Sequence, residues 1–293
     1  MTAPATTTMA FELPRDVIRV TGPEAASYLQ GQLSQDVLAL GPGDSALSLL
    51  LEPQGKISAF LRVTRVGEDH FVLDLDGGFG PATLTRLSRF RLRTKVDIEM
   101  QDDWRCVAVR GRDVARPPGP AGGGAEVVTV FEWPPAPALG GTDLLGPAPE
   151  PPAGVAVGTA SDYEALRIEG GLPAMGAELD DRTIPEESGL VGATVSFTKG
   201  CYTGQELVAR IEARGSNVPR RLRGVLADER LAVGTELWTD REIGVVTSTA
   251  VSPRLGPVAL AYVRRGVDPP VDAEARTEGG TRTVSIRALP LSP

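Results

Sequence analysis

The sequence is poorest in histidine: among 293 residues there is one, His70. A Ser-His-Asp or Cys-His catalytic apparatus would rest on that residue alone, and no G-x-S-x-G nucleophile elbow accompanies it. His70 follows Gly67-Glu68-Asp69 and precedes the alternating run Phe71 to Asp76, so it reads as a turn residue entering a strand. Cysteine is nearly as scarce. Cys106 and Cys201 cannot build a disulfide framework, and with one histidine they cannot close a structural zinc site. Long apolar runs are missing: the N-terminal MTAPATTTMA has no basic region followed by an apolar stretch, so neither a secretory signal nor a membrane partner is expected, and the expected location is cytoplasmic. Positive charge is in deficit, 30 Lys and Arg against 38 Asp and Glu for a net −8, which argues against a surface built to grip nucleic acid directly. The chemistry must come from a thiol, carboxylates or a bound cofactor.

What is present points to a globular chain. Hydrophobic residues make up 41% and charged residues 23%, ordinary values for folded proteins, and the length suggests two or three compact units. Thr21-Gly22-Pro23-Glu24 reads as a capping box opening a helix that stops near Gly31. Ala46 to Leu51 and Ile57 to Val66 read as a hairpin across the turn Glu52 to Lys56. Pro81 to Phe90 looks helical, and Thr94 to Met100 and Trp104 to Val109 look extended. Cys106 lies inside the last of these as a small buried hydrophobe. Arg116 to Pro120 with Gly122 to Gly124, and the Pro-rich stretch Trp133 to Pro152, are expected to be loops around one strand, Val127 to Phe131. Ser161 to Glu164 reads as a second capping box, for a helix closed by Gly170-Gly171. From about Leu222 short strand-like runs predict a small β-barrel or sandwich. Strands and helices mix without regular alternation, so the fold class is α+β. Two basic runs stand out: Arg86, Arg89, Arg91, Arg93 and Lys95, then Arg210, Arg214, Arg220, Arg221 and Arg223. Each reads first as a solvated face; if they converge they would attract a polyanion.

The most chemical segment is Lys199-Gly200-Cys201-Tyr202-Thr203-Gly204-Gln205-Glu206. Thr203 to Glu206 reads as a third capping box, placing Cys201 two residues before a helix N-cap. A helix N-terminus and a nearby lysine both favour a thiolate, so Cys201 is the candidate nucleophile, redox centre or metal ligand.

This segment closely resembles the K-G-C-Y-x-G-Q-E signature of the YgfZ family, and other segments extend the likeness. Tyr28-Leu29-Gln30-Gly31-Gln32-Leu33-Ser34-Gln35-Asp36-Val37 resembles the family's F-L-Q-G-Q-x-T-x-D-V, with serine for threonine. Leu51 to Ile57 resembles its P-x-G-K-I turn. Leu166-Arg167-Ile168-Glu169-Gly170-Gly171-Leu172-Pro173 and Glu178-Leu179-Asp180 resemble segments shared with the glycine-cleavage T-protein superfamily.

The resemblance implies an α+β, three-domain T-protein-like arrangement around a central folate-binding opening, with a C-terminal β-barrel. Residues 1–50 with about 103–192 would form one α+β domain. About 51–102 with 193–218 would form a second, carrying Cys201, and about 219–293 the barrel. Glu169 matches the T-protein glutamate that contacts the pterin, and a carboxylate can accept paired hydrogen bonds from the ring amide and amino groups. Arg214 and Arg223 are the expected contacts for the glutamate tail. The T-protein's I-D-D-L-I-V aspartates fall on Ala59 and Phe60 when aligned on Gly55 to Val63, which argues against aminomethyl transfer. The implied function is a tetrahydrofolate-binding accessory factor for iron-sulfur cluster assembly or repair, indirectly supporting tRNA modification. In that role Cys201 is a redox thiol or transient cluster ligand and Lys199 favours its thiolate, while Gly200, Tyr202, Gly204, Gln205 and Glu206 support the motif. Its partners would be folate and iron-sulfur proteins or assembly factors, a monomer is the expected state, and a conventional enzyme is not expected. The alternative is a folate-dependent one-carbon transferase or demethylase.

Overall fold

Strand pairing sorts the chain into two sheets and a barrel in the computed structural model, which describes residues 8–111 and 124–292. The expected loop at Arg116 to Pro120, with Gly122 and Gly123, lies outside the described residues. The first sheet is antiparallel throughout, built from β2 (Arg15–Thr21), β3 (Ser45–Leu51), β4 (Ile57–Gly67), β5 (His70–Asp76) and β6 (Asp97–Met100) in the order β3-β4-β5-β2-β6. The second holds β1 (Met9–Leu13), β7 (Arg105–Arg110), β8 (Val127–Phe131), β9 (Gly141–Gly146) and β10 (Ala156–Val157) in the order β10-β1-β7-β9-β8. A single residue, Pro14, separates β1 from β2, so the chain changes sheet there. Strands β11 (Arg220–Ala227), β12 (Glu236–Trp238), β13 (Glu242–Ser252), β14 (Gly256–Arg264), β15 (Val271–Thr277) and β16 (Gly280–Arg287) close the C-terminal barrel.

This pairing corrects the expected division at residue 50. β3 pairs with β4 across it, Leu49 opposite Phe60, so residues 15–50 share a sheet with 51–100 rather than with 103–192. The reason is burial on both faces. Leu50 packs into the core with Tyr28, Leu29 and Leu33, whereas Leu47, Leu49 and Leu51 pack into a second core with Phe60, Phe131 and Tyr202. A strand covered on both faces reads as a continuous apolar run, and β3 is so covered although it is the terminal strand of its sheet. Each fully buried leucine contributes about 1.5–3 kcal/mol.

The helices are α1 (Ala25–Gln32), α2 (Gly80–Arg91), α3 (Ala160–Gly170), α4 (Val191–Thr194) and α5 (Gln205–Ala213). Their caps differ from the expected boxes. Thr21 belongs to β2, and Glu24 uses its carboxylate on the Lys95 amide at 2.6 Å instead of on its own helix. At α3 the box forms two residues earlier, between Thr159 and Asp162. Gly171 closes that helix in the left-handed region, φ 67°, as expected. α5 is capped by Gly204 at φ 82° with no side-chain cap, so Cys201 stands three residues before the N-cap rather than two. β9 is a further correction: it runs through the stretch expected to be loop and is the central partner of both β7 and β8.

Candidate functional site

Cys201 is exposed on a loop whose neighbours hold it from below. The Lys199 ammonium donates to three backbone carbonyls, those of Gln30 and Leu33 at 2.6 Å and Gln35 at 2.9 Å. These lie at the end of α1, where the last carbonyls lack helical partners and carry the negative end of the helix dipole. The Ser196 amide donates to the Ser34 carbonyl and the Thr203 amide to that of Gly31. Tyr202 is buried in the second core with Lys199 Nζ 5.1 Å from its ring centroid, and its amide donates to Gln205 Oε1. A Cβ on Gly204 would stand 2.5 Å from the Glu52 carbonyl and 2.7 Å from Leu51 Cβ, so only glycine lets the loop close on the β3–β4 turn. The three segments that resemble the YgfZ signature thus meet in space. Lys199 docks the loop through its three carbonyl bonds, a role beyond its expected part beside the thiol. Burial pushes its pKa down to about 8, leaving it charged at neutral pH.

The platform under the loop is knitted by polar side chains. Gln30 Oε1 accepts from the Val37 amide at 2.8 Å and Gln30 Nε2 donates to Asp36. Ser34, fully buried, donates to the Thr194 carbonyl at 2.7 Å and accepts from the Leu49 amide. Glu206 is exposed and pairs with Arg210 one turn on. Gly200 has open space around it. The other cysteine, Cys106, is buried and burial pushes its thiol well up, which leaves it unreactive.

The second motif group has another use. Glu169 is buried and lies against the barrel, accepting from Arg254 Nη2 at 2.6 Å and from Ser252 Oγ. Glu178 accepts from Arg167 at 2.8 Å, Thr247 at 2.7 Å and Ser248 at 2.6 Å. The L-R-I-E-G and E-L-D segments therefore form the joint between α3 and β13. Arg214 is exposed, Arg223 is half-buried with its guanidinium on the Leu222 carbonyl, and neither is among the residues that line the cavity described next. Arg220 and Arg221 pair with Glu187 and Glu186.

Between the two sheets and α3 lies a cavity of about 350 Å³. Its lining mixes apolar Leu47, Phe60, Phe131, Leu172 and Met175 with polar Arg15, Asp76, Arg110, Asp143, Tyr163, Glu164 and Arg167, the Arg110 guanidinium standing 4.4 Å from the Phe131 ring centroid, and Glu12 is exposed among the lining residues. Behind the polar lining runs a chain of alternating charges. Arg15 bonds Asp76 at 2.7 Å and Asp74 at 2.8 Å; Arg62, about 1% exposed, bonds Asp74 at 2.9 Å. Arg62 Nη1 lies 2.7 Å from Asp143 Oδ2, an ion pair without hydrogen-bond alignment, and Asp143 in turn binds Arg110. Sequence reading missed this chain, because each arginine sits singly in an apolar strand; the signal was there in Arg62 and Asp74, both inside runs of buried residues. Burial alone would raise the Asp143 carboxyl, but the Arg110 and Arg62 guanidiniums outweigh it and hold it at about 2.

Among the described residues no group of three or more His, Cys, Asp or Glu side chains is placed to hold a metal ion, and no helix is long and apolar enough to cross a membrane. A resident iron-sulfur cluster, which takes four ligands, does not fit this chain by itself.

The fold is that of the glycine-cleavage T-protein class. Residues 220–291 match the glycine cleavage T-protein C-terminal barrel domain. The crystal structure of glycine cleavage system aminomethyltransferase T from Bartonella henselae superposes with a TM-score of 0.78, covering 98% of this chain and 86% of that one at 21% identity. An aminomethyltransferase of Corynebacterium jeikeium is 26% identical over 320 residues, 92% of this chain and 81% of that protein. The tRNA-modifying protein YgfZ of Enterobacter sp. strain 638 is 30% identical over 305 residues, 93% of this chain and 90% of its own length. The chain belongs to the YgfZ family.

Proposed function

We propose that the protein is a folate-binding accessory factor for iron-sulfur cluster assembly or repair, acting through the Cys201 thiol and so supporting tRNA modification, the activity named for its YgfZ relatives. The observation that carries this reading is the presentation of Cys201: an exposed thiol on a loop pinned at Ser196, Lys199, Tyr202, Thr203 and Gly204. A side chain held out on a rigid support is arranged to meet another molecule. One thiol supplies one ligand or one redox equivalent, so cluster chemistry requires further ligands from the partner.

A reduced folate fits the cavity in size, since small-molecule sites run to about 300–1,000 Å³, and in character, with apolar side chains to pack a flat ring and polar groups among them. Of the lining carboxylates Glu12 is the one that would accept from its ring, since Arg167 holds both oxygens of Glu164 and the barrel engages both oxygens of Glu169. Bound folate would supply a one-carbon carrier or reductant, and the chain's part is to bind and orient it. Ala59 is buried and Phe60 lines the cavity, so no acid stands where one-carbon transfer would call for one; this supports the accessory role over a transferase or demethylase.

In a deletion strain, Cys201→Ser should fail to restore iron-sulfur enzyme activity while the purified variant binds tetrahydrofolate like the parent. Full rescue by that variant would remove the thiol from the function, and absence of tetrahydrofolate binding by the parent would remove the folate.

A further inference from the structure

We infer that the C-terminal end of α2 is the docking surface for an acidic protein partner, which seats on the arginines Arg89 and Arg93 and receives Phe90 and Leu92 in an apolar pocket. The inference rests on the proposed function and specifies its partner: the protein that meets Cys201. In a chain of net −8, residues 86–95 carry five cations and no acid. Arg86 is used internally, stacked on Phe90 at 4.0 Å, donating to the Leu51 carbonyl at 3.3 Å and 3.7 Å from Glu52. Arg91 stands 3.8 Å from Asp97. Arg89 and Arg93 are exposed, and neither forms an ion pair among the described residues.

The apolar members are more telling. Leu92 is 87% exposed and Phe90 42%. Leu92 also holds its backbone at φ 35°, a region costly for a side-chain-bearing residue. Phenylalanine and arginine are enriched at protein interfaces, and here they flank an apolar Leu92 that faces water in a strained turn. The occupant is a protein surface rather than RNA because base stacking needs an open aromatic face. Here one face of Phe90 is covered by Arg86, and leucine does not stack. The position is shared with the thiol. Tyr28 donates to the Leu87 carbonyl at 2.6 Å, tying α2 to the helix whose end holds Lys199, and Arg86 holds the Leu51 carbonyl beside Gly204.

The test is fluorescence anisotropy on the full chain with three labelled probes: a peptide in which glutamates flank a Leu-Trp pair, an oligoglutamate peptide, and a single-stranded RNA. The Leu-Trp peptide should bind best, weakening about tenfold between about 50 and about 200 mM salt. Leu92→Ser and the pair Arg89→Glu with Arg93→Glu should each weaken it about tenfold, with the Cys201 alkylation rate and melting temperature unchanged. Cys201→Ser should bind as the parent does, so a failed thiol reading leaves this result standing. Peptide binding indifferent to the ridge variants, no peptide binding, or RNA bound in its place would each overturn the inference.

Discussion

Replacing Lys199 by Met separates the two things a lysine next to Cys201 could do. Its ammonium makes three short bonds to the carbonyls of Gln30, Leu33 and Gln35, and hydrogen bonds to a charged group contribute about 1.5–3 kcal/mol each. Opposing them, burial lowers the pKa of the group to about 8, a cost that solvent around the half-buried ammonium holds to about 1–2 kcal/mol. The balance in favour of the docked loop is about 3 kcal/mol, roughly a hundredfold in the opening equilibrium. Methionine keeps the stem over the Tyr202 ring and removes the donors. Hydrogen exchange followed by mass spectrometry should therefore show residues 196–204 and 30–35 exchanging about a hundredfold faster, with the rest of the first sheet unaltered. Alkylation of Cys201 by iodoacetamide, measured across pH, should keep the parent's midpoint. Unchanged protection together with slowed alkylation would refute the docking role and return Lys199 to thiol activation.

Gly204→Ala should destabilise by about 3 kcal/mol in chemical denaturation, from its left-handed φ and the clash with the Glu52 carbonyl, whereas Gly200→Ala, with open space around it, should stay within about 0.5 kcal/mol. Asp143 sits at about 2 in the folded protein against an ordinary 3.8. Its folded value is the lower one, so its contribution of about 2 kcal/mol is complete above pH 4 and is lost as pH falls to 2. Asp143→Asn should be less stable at neutral pH and should flatten that part of the acid transition. Leu92→Gly relieves the φ of 35° and should stabilise by about 1 kcal/mol while weakening the acidic peptide. Glu169→Gln should lower the melting temperature of the barrel by weakening its pair with Arg254 yet leave tetrahydrofolate affinity within about threefold.

Local pattern carried the elements whose signals are local. The β3–β4 hairpin, α2 and the barrel strands follow from apolar runs, turn residues and their spacing. β9 did not, because glycine and proline suggested loop. Gly141 is needed inside the strand, since a Cβ there would collide with the Val109 carbonyl. The capping boxes at Thr21 and Thr203 were sound patterns outcompeted by tertiary partners: β2 took Thr21 into its ladder, and the approach to Glu52 and Leu51 selected Gly204. At the site, the sequence pointed to Cys201 through its neighbours and did not show the bonds that two charged motif residues make. Lys199 and Glu169 are both charges beside a candidate ligand in sequence, yet one closes a helix end and the other fastens a barrel. Contacts across 83 residues for Glu169 and 166 for Lys199 decide such matters, and no spacing rule reaches that far.

The alternating charges beneath the cavity bear on the order in which the polypeptide is made. Asp76, Arg15, Asp74 and Arg62 come from the first sheet and cancel among themselves; Asp143 and Arg110 come from the second and cancel likewise. Residues 15–100 leave the ribosome before β7 and β9 exist, and they carry their half of the strip already neutral. The nascent sheet can close without waiting for a distant counter-charge, and the Arg62–Asp143 contact is added when the later strands arrive. β1 is in the opposite position: it is synthesised first, and its antiparallel partner, β7, arrives only with residue 110.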